Sequence, residues 1–432
     1  MRYLEQMIQD RAQGKMIGIY SCCSSNEYVI RAALRRAKAN RTTALIEATA
    51  NQVNQDGGYT GMRPADFYAY VMRLAEKEGV PESRIILGGD HLGPLTFTAL
   101  PEKEAMAKAE ELVRQFALAG FAKIHLDTSM RVADDDPNAP LADETIARRG
   151  ARLCRAAEDA VAERRKTHPD AALPNYIIGS EVPIPGGTQS YEDTVAVTSP
   201  EAYEKTVATF RAAYEKAGLG EAWKRVIAVV VQPGVEFGDA TIVKYDHDKA
   251  IRLLTAVKKH PEMVLEGHST DYQPRECLKN MVTDGIAILK VGPALTFGLR
   301  EGLFALENIE REMGFADLSA LRATMESVMV EDPKYWKKYY PGTPAEQKYA
   351  RAFSLSDRVR YYLPDARIEG AVAKLMANLG SREIPIALLY QYLPRQAALV
   401  SAGALSRGPE DLLLDHIGDW IDDYLYATRQ LI

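Results

Sequence analysis

Short apolar runs rich in β-branched residues recur along the first three hundred residues, and each ends in polar or charged side chains. Seven such polar endings stand out, at residues 46–49, 89–91, 125–127, 180–182, 231–234, 266–271 and 290–293. A parallel strand that is buried on both faces is apolar throughout and becomes polar only where it emerges. The pattern therefore predicts parallel strands whose carboxyl ends carry reactive groups, which is typical of an enzyme built on a barrel.

The same runs predict eight strands, at residues 16–20, 43–49, 84–87, 122–126, 176–179, 226–231, 263–265 and 286–291. Helical stretches rich in Ala, Glu, Lys and Leu, such as 102–118 and 143–165, separate most of them. This alternation favours an α/β fold, a closed (β/α)₈ TIM barrel. An open doubly wound sheet is the alternative, but the sequence has neither a G-x-G-x-x-G after the first strand nor a G-x-x-x-x-G-K-[ST] anywhere. A nicotinamide dehydrogenase and a P-loop kinase are therefore not expected.

The strand signal fades beyond residue 299. Helices are predicted at 300–312, 318–330, 368–379 and 409–430, with aromatic and basic stretches between them at 335–342 and 355–362. We expect a barrel domain over residues 1–300 that carries the active site. A C-terminal helical extension over residues 301–432 is expected to cap the barrel or to serve a partner.

Composition narrows the class of protein further. The 432 residues are 47% hydrophobic, enough for a large core, and the net charge of −6 gives no basic face for nucleic acid or an anionic membrane. The longest apolar stretches, such as 226–231, are too short to cross a bilayer, and the N-terminus lacks the apolar core of a signal peptide. Four cysteines without metal-ligand spacing indicate reduced thiols and a cytoplasmic protein.

Imidazole and carboxylate groups at strand ends predict a divalent metal site. The candidate ligands are His91, Glu181 and His268, after strands three, five and seven, with Gln232 after strand six as a weak neutral ligand. An enediolate formed when a bond breaks beside a ketone would be stabilised by such a metal. Alternatively, the two histidines only form hydrogen bonds with their neighbours.

Proton transfer needs a carboxylate near the substrate. Asp90, Asp127 and Glu181 are the catalytic candidates, and Glu47 could share that role, because carboxylates on a desolvated rim have their proton affinities pushed apart. Each of these carboxylates could instead accept hydrogen bonds from backbone N–H groups at a helix start.

Substrate contacts are expected from the loops after strands two, seven and eight. The candidates are Glu47, Asn51, Gln52, Lys123, Ser269, Thr270, Asp271, Lys290 and Gly292. A phosphate is favoured on the hydroxyls of residues 269–270 and the amides near Gly292, with Arg358 or Arg360 reaching over from the tail. Residues 269–271 could instead cap a helix. A Schiff base through Lys123 or Lys290 also stays open.

Longer motifs carry a family resemblance. They lie at residues 46–55, 58–62, 87–94, 123–127, 231–237, 268–272, 289–295, 335–340 and 355–358. Along nearly the whole chain these segments resemble the Z subunit of class II D-tagatose-1,6-bisphosphate aldolase, whose members have also been labelled tagatose-6-phosphate kinases. The missing nucleotide motif argues against that second label.

The resemblance implies a metal and assigns some of its ligands. The family is distantly similar to the zinc-dependent class II aldolases, in which an Asp-His pair after strand three supplies a proton-transfer group and a ligand. Asp90 and His91 match that pair, and His268 matches a ligand after strand seven. Gln232 stands where those aldolases have a histidine. Zinc is the expected metal, with manganese, magnesium, nickel and cobalt as alternatives.

Two functions follow from the resemblance. The first is epimerisation at carbon 4 between D-tagatose 6-phosphate and D-fructose 6-phosphate, by cleavage between carbons 3 and 4 and re-addition to the other aldehyde face. The second is a non-catalytic subunit that supports a separate class II tagatose-bisphosphate aldolase subunit. Action on free ketohexoses or related sugar acids is a third possibility, and a homo-oligomer is compatible with either function.

Overall fold

A computed structural model of the chain describes residues 3–182 and 195–431. Eight parallel strands close into a barrel in the order β1-β10-β9-β6-β5-β4-β3-β2. Their bounds are β1 Ile19–Cys22, β2 Ala44–Thr49, β3 Ile85–Leu92, β4 Lys123–Leu126, β5 Asn175–Ile178, β6 Val226–Val231, β9 Val264–Gly267 and β10 Ile286–Val291. The remaining two, β7 Glu236–Phe237 and β8 Ile242–Val243, form a small antiparallel ribbon. The predicted (β/α)₈ barrel is confirmed.

Helices follow the barrel strands and then form the C-terminal tail. They are α1 Tyr3–Ala12, α2 Glu27–Ala39, α3 Pro64–Glu78, α4 Glu102–Ala119, α5 Asp143–Arg164, α6 Pro200–Lys216, α7 Gly220–Trp223, α8 His247–Val257, α9 Arg275–Asp284, α10 Pro293–Glu312, α11 Leu321–Glu331, α12 Pro344–Phe353, α13 Ala366–Gly380, α14 Ile386–Tyr392, α15 Pro394–Ser401 and α16 Pro409–Ala427. Short 3₁₀ turns lie at Gly58–Thr60, Glu82–Arg84, Pro94–Phe97, Pro333–Tyr335 and Arg358–Tyr361.

Local chemistry sets several helix starts. The Asn26 side chain accepts hydrogen bonds from two backbone N–H groups of α2, and Thr343 with Glu346 forms a capping box at α12. Pro64 and Pro293 stand in the first turns of α3 and α10, where a missing N–H costs little. The α2 and α10 starts fix the loops that follow β1 and β10 on the rim.

The third strand is longer than the sequence predicts. The prediction ended it at residue 87, but β3 continues through two glycines to Leu92. A Cβ on Gly88 would lie 2.6 Å from Cγ of Glu47 on the neighbouring strand. Glycine is therefore needed inside the strand to leave room for that side chain, and it does not mark a turn.

The barrel interior has an apolar lower layer and a charged upper layer. The lower layer contains Ile19, Leu45 and Ile288, and helix α1 packs Leu4 and Met7 against it. Above it, inward-facing side chains are charged or imidazole groups, described below. A side-chain period of two places every second strand residue inside the barrel, so reactive groups accumulate at the carboxyl ends.

The last helix belongs to the barrel wall. Helix α16 packs against α2, α9 and α10 and touches β1. Arg36 of α2 forms ion pairs with Asp415 and Asp422, both at 2.9 Å. The Tyr424 hydroxyl donates to the Thr270 carbonyl at 2.8 Å. The chain thus crosses the whole tail before it returns to cover the barrel between α2 and α9.

Two further findings bear on the class of protein. Among residues 3–182 and 195–431, none of the helices combines the length and the apolar character that a membrane span requires. The four cysteines are free thiols.

Candidate active site

Asp90 and His91 are consecutive, yet both side chains reach the interior of the barrel. The pairing of β3 with β4 shifts register between Gly89 and Leu92, so these two residues form a bulge. His91 also has φ of 50°, in the left-handed region that a residue with a Cβ rarely adopts. Such bulges and strained residues cluster at functional sites, where they redirect a side chain.

Three imidazoles meet at the carboxyl end of the barrel. The ring centroid of His91 lies 5.1 Å from that of His125 and 5.0 Å from that of His268, and the last two are 5.3 Å apart. All three side chains are buried. They come from β3, β4 and the loop after β9, three elements far apart in the sequence.

Each imidazole has a carboxylate partner. His91 Nδ1 contacts Asp127 Oδ2 at 2.8 Å, His125 Nδ1 contacts Asp90 Oδ1 at 2.9 Å, and His268 Nε2 contacts Glu266 Oε1 at 2.9 Å. In metal sites, a carboxylate that accepts the second ring N–H fixes the orientation of the ligand histidine. The Asp127 contact leaves Nε2 of His91 available in that way.

The donor set fits a divalent metal. Ligand atoms of Asp90, His125, Glu266 and His268 lie within 4.8 Å of one another. Nε2 of His125 is buried and has no hydrogen-bond partner in the part of the chain that the structure describes. A buried acceptor without a partner is costly, and a cation bound there would satisfy it. Imidazole and carboxylate donors suit zinc and neighbouring divalent metals.

Two buried lysines balance the carboxylates. Lys123 Nζ lies 2.7 Å from Glu47 Oε1 and 2.8 Å from Glu266 Oε2. Lys290 Nζ contacts the Glu47 carboxylate and lies 3.0 Å from Asp90 Oδ2. Burial lowers a lysine pKa, but these carboxylates outweigh it and raise the pKa of both lysines. Both amines are therefore held as ammonium ions, which argues against a Schiff-base mechanism.

The protonation states follow from burial and charge together. Burial raises the pKa of Asp90, but His91 and Lys290 outweigh it and hold that pKa well below its usual range. Burial lowers the pKa of His91, but Asp90 and Asp127 reverse the shift and raise it. Burial dominates at His268 and lowers its pKa to about 4. Near neutral pH, Asp90 is thus ionised and His268 is a neutral imidazole, the form that binds metals.

A cavity of about 90 Å³, here called the rim cavity, opens above this cluster. Its lining residues are Cys23, Thr49, Asn51, Gln52, Tyr59, Asp90, His91, Phe237, His268, Ser269, Asp271, Lys290, Val291, Gly292, Pro293, Arg360 and Tyr361. A second cavity of about 350 Å³, the side cavity, shares Tyr59 and Arg360 with it and is also lined by Ser24, Ser25 and Thr60. The 3₁₀ turn Arg358–Tyr361 brings Arg360 from the tail onto the rim.

Asp271 occupies the amides that were predicted to hold a phosphate. Its Oδ1 accepts from the backbone N–H of Gly292 at 3.0 Å and of Ala294 at 2.8 Å, at the start of α10. Burial raises the pKa of Asp271 to about 6 despite these bonds. The anion-binding end of this helix is therefore already filled by a side chain of the protein.

Comparison with known proteins places the chain in a family. Residues 4–429 match the family model described as D-tagatose-1,6-bisphosphate aldolase subunit GatZ/KbaZ-like. The chain belongs to the GatZ/KbaZ-like family.

Solved structures give one strong likeness and two weak ones. A Sinorhizobium meliloti 1021 structure, described as a probable tagatose 6 phosphate kinase, is 45% identical, with a TM-score of 0.86 over 95% of this chain and 100% of that one. The YdjI aldolase from Escherichia coli K12 is 12% identical, with a TM-score of 0.40 over 88% of this chain and 98% of that one. A Campylobacter jejuni fructose-bisphosphate aldolase is 14% identical, with a TM-score of 0.43 over 90% and 93%.

In this GatZ/KbaZ-like protein most of the predicted residues line the rim cavity or lie directly behind it. Nine line the rim cavity: Asn51, Gln52, Asp90, His91, His268, Ser269, Asp271, Lys290 and Gly292. Glu47, Lys123 and Asp127 lie behind them, where they contact the lining residues. Thr270 is buried in the wall, and its hydroxyl donates to the Lys290 carbonyl at 2.7 Å.

Two predicted metal ligands, Glu181 and Gln232, do not line the rim cavity. Glu181 is exposed and accepts a hydrogen bond from Thr198 Oγ1 at 2.6 Å. The Gln232 side-chain oxygen accepts from the backbone N–H of Gly234 and Val235. Neither contributes to the donor cluster described above.

His125 and Glu266 were missed as ligands, although both lie in polar strand endings. His125 is two residues from Lys123 and Asp127, and Glu266 is two residues from His268. Because strand side chains alternate with a period of two, these groups share the inward face. The two-residue spacing is therefore the sequence signal that places His125 and Glu266 beside the other inward-facing polar groups. Tyr59 and Tyr361, by contrast, reach the rim from a loop and the tail and carry no such signal.

Proposed function

We propose that this protein is a metal-dependent ketohexose-6-phosphate 4-epimerase that interconverts D-tagatose 6-phosphate and D-fructose 6-phosphate. The observation that carries the proposal is the convergence of three imidazoles, Asp90 and Lys290 beneath one cavity that Arg360 also lines. Burying so many ionisable groups is costly. A protein that acted only as a scaffold would have no need of them.

His91, His125 and His268 would hold the metal, and ligand atoms of Asp90 and Glu266 lie within 4.8 Å of those of His125 and His268. A divalent cation there would polarise the substrate carbonyl as a Lewis acid. Of the four ligands expected from the sequence, His91 and His268 are kept, whereas Glu181 and Gln232 make the other contacts described above. This assignment of ligands is therefore part of the proposal and is tested with it.

Asp90 is the proposed proton carrier. It is ionised, lies beneath the rim cavity and can accept the proton of the substrate hydroxyl on carbon 4. The C3–C4 bond then breaks, and its electron pair stays on the carbon 1–3 fragment as an enediolate, leaving glyceraldehyde 3-phosphate. Re-formation of the bond on the other aldehyde face, with return of the proton from Asp90, inverts carbon 4. Lys290, at 3.0 Å from Asp90, would keep the carboxylate ionised until it accepts that proton.

Arg360 is the proposed phosphate ligand. The Gly292 amide already donates to Asp271, so the phosphate is expected on Arg360, which lines both cavities. The hydroxyls of Ser24 and Ser25 line the side cavity beside it. Arginine pairs with phosphate through two parallel hydrogen bonds. The larger side cavity supplies the room that the rim cavity lacks.

The decisive experiment combines metal analysis with a turnover assay. Purified protein, loaded with zinc, manganese, magnesium, nickel or cobalt, is incubated with D-fructose 6-phosphate, and D-tagatose 6-phosphate is followed by ¹³C NMR. His268→Ala should lose bound metal and product together, whereas the exposed His168→Ala should lose neither. Arg360→Gln should raise KM for the phosphorylated sugar and leave activity on free fructose unchanged. Absence of product with every metal would overturn the proposal.

A second candidate is an accessory role, supported by the family description as an aldolase subunit. Co-expression with a class II tagatose-bisphosphate aldolase subunit should then raise the yield and thermal stability of that subunit. The His268→Ala variant separates the two functions, since a purely accessory protein should stabilise its partner equally well without the imidazole. An unchanged partner yield would remove the basis for this role.

A further inference from the structure

The helical tail contains a cavity that the proposed reaction does not use. This tail cavity has a volume of about 560 Å³ and lies among residues of α10, α11 and α12 and the turn that follows them. Pockets of this size are typical of small-molecule sites. It is separate from the imidazole cluster and shares no lining residue with the rim cavity.

The lining is strongly cationic. Four of the lining side chains carry positive charge, and Glu326 is the single carboxylate among the lining residues. Arg351 is neutralised by Glu326, with Nη2 and Oε1 2.6 Å apart. Arg322 and Lys348 form no ion pair with any residue that the structure describes. The lining of the cavity thus carries an excess of positive charge.

A buried guanidinium supplies a second, independent observation. Arg300 is 2% exposed, lines the cavity, and donates from Nε to Asp357 at 2.6 Å. Its Nη2 is buried without a hydrogen-bond partner within the described ranges. An unpartnered donor of this kind destabilises the folded protein, because its hydration is lost and not replaced. An acceptor oxygen from a ligand would remove that cost.

The remaining wall is apolar and aromatic. Phe304, Met325 and Met329 face the cavity, and the Arg322 guanidinium lies 4.7 Å from the Phe304 ring centroid. A hydrated inorganic anion would leave this surface in contact with water. The lining is matched instead by a ligand in which an acidic group is attached to an apolar body.

The position of the cavity links it to the rim. Val359 lines the tail cavity, and the next residue, Arg360, lines the rim cavity. Asp357, which holds Arg300, has φ of 45°, and its carbonyl accepts from Arg360 Nη1 at 3.2 Å. One 3₁₀ turn therefore forms a wall of both cavities.

We propose that the tail cavity binds a small organic anion with an apolar body, a carboxylate, sulfonate or phosphate ester, and that its occupancy orders residues 356–361. Arg300 Nη2, Arg322 and Lys348 would contact the acidic group, and Phe304 with the two methionines would contact the body. This proposal does not depend on the epimerase reaction, because both of its readouts are measured without turnover.

The probe is 8-anilinonaphthalene-1-sulfonate, an aromatic sulfonate whose fluorescence rises on binding. The intact protein should bind one equivalent, and hydrogen exchange of residues 356–361 should slow on saturation. Arg322→Glu and Lys348→Glu should each weaken binding tenfold or more. Arg382→Glu is the matched control, because Arg382 also stacks on a phenylalanine of the tail, at 3.6 Å from the Phe315 centroid, but lies outside the cavity.

Three outcomes would overturn the proposal. One is equal affinity in Arg322→Glu, Lys348→Glu and Arg382→Glu while circular dichroism shows them folded. Another is loss of binding in Arg360→Gln, which would place the probe on the rim. The third is displacement of the probe by a co-expressed aldolase subunit, which would assign the cavity to a protein partner. Retained binding in Arg360→Gln supports the tail site even if that protein shows no epimerase activity.

Discussion

Replacement of Lys123 by methionine tests the buried charge network directly. The ammonium group is fully buried between two carboxylates, at 2.7 Å from Glu47 and 2.8 Å from Glu266. At an effective dielectric constant of about 20, each contact is worth about 6 kcal/mol of Coulomb energy. Burying the lysine ammonium group costs several kcal/mol of dehydration, and this cost offsets much of the Coulomb energy.

The net loss should be about 3–5 kcal/mol in the free energy of unfolding, because methionine leaves two carboxylates without their shared cation. The loss would be about 3 kcal/mol if the other partners of the two carboxylates compensate for the missing lysine. Glu47 keeps its contact with Lys290, and Glu266 keeps only His268. Equilibrium urea unfolding in the presence of a chelator, at pH 7.5, measures the loss.

The same variant should change the pH dependence of stability. In the native protein the pKa of His268 is about 4, below its ordinary value of 6.5, so stability falls as pH drops through this window. Without Lys123, the Glu266 charge should raise the pKa of His268. The variant should therefore lose less stability than the parent protein as pH drops. The stability difference between the two proteins should therefore narrow from pH 6.5 towards pH 4.

Lys224→Met is the matched control, since Lys224 pairs with Glu221 at 2.6 Å but both side chains are exposed. An exposed pair contributes below about 1 kcal/mol. If Lys123→Met costs no more than Lys224→Met, the buried network does not hold the barrel rim together. When both proteins also carry His268→Gln, the stability difference between them should no longer narrow with falling pH, which identifies His268 as the titrating group.

Three other predictions concern separate features. Gly93→Ala should destabilise the protein by several kcal/mol in urea unfolding, because its Cβ would lie 1.6 Å from the Asp127 carbonyl oxygen. The control is Gly370→Ala in α13, where a Cβ meets no atom within 4 Å. That change should stabilise the protein by up to about 1 kcal/mol. The hydrogen bond from Arg148 holds the pKa of Glu102 at about 2, below its ordinary 4.5, so Glu102 contributes stability above pH 4.5 that is lost as pH falls towards 2. The difference in free energy of unfolding between Glu102→Gln and the parent protein should then shrink as pH falls from 4.5 towards 2. A difference that stays constant over this range would contradict the role of Glu102. Zinc at 100 times its Kd should raise the free energy of unfolding by about 2.7 kcal/mol, and the increase should disappear with a chelator and in His268→Ala; an increase that persists in that variant would exclude the imidazole site.

The barrel could be predicted because its signal is local. A strand covered on both faces must be apolar along its length, and eight such runs lie in order along the chain. The error at β3 has the same origin, since residues 88 and 89 are glycines and glycine usually interrupts a strand. What keeps the strand going is the Glu47 side chain on a neighbouring strand, which the sequence around residue 88 does not reveal.

The site residues divide along similar lines. Asp90, His91 and His268 follow apolar runs and were found for that reason. His125 and Glu266 lie within strand endings and needed the period of two. Arg358 and Arg360 were both expected to be able to reach over from the tail. That Arg360 is the one that lines the rim cavity depends on how the tail folds back, for which the sequence near it carries no local signal. Where Glu181 and Gln232 lie is likewise set by contacts with Thr198 and local amides rather than by the strands they follow.

The docking of α16 has a consequence for how the protein is made. Residues 409–427 cover the wall between α2 and α9, so the first and seventh repeats of the barrel stay partly uncovered until that stretch has left the ribosome. Apolar surface that waits this long is exposed to misassembly and to chaperones. During synthesis, the segments of the nascent chain should therefore become resistant to protease late and almost together. They should not become protected one after another from the N-terminus.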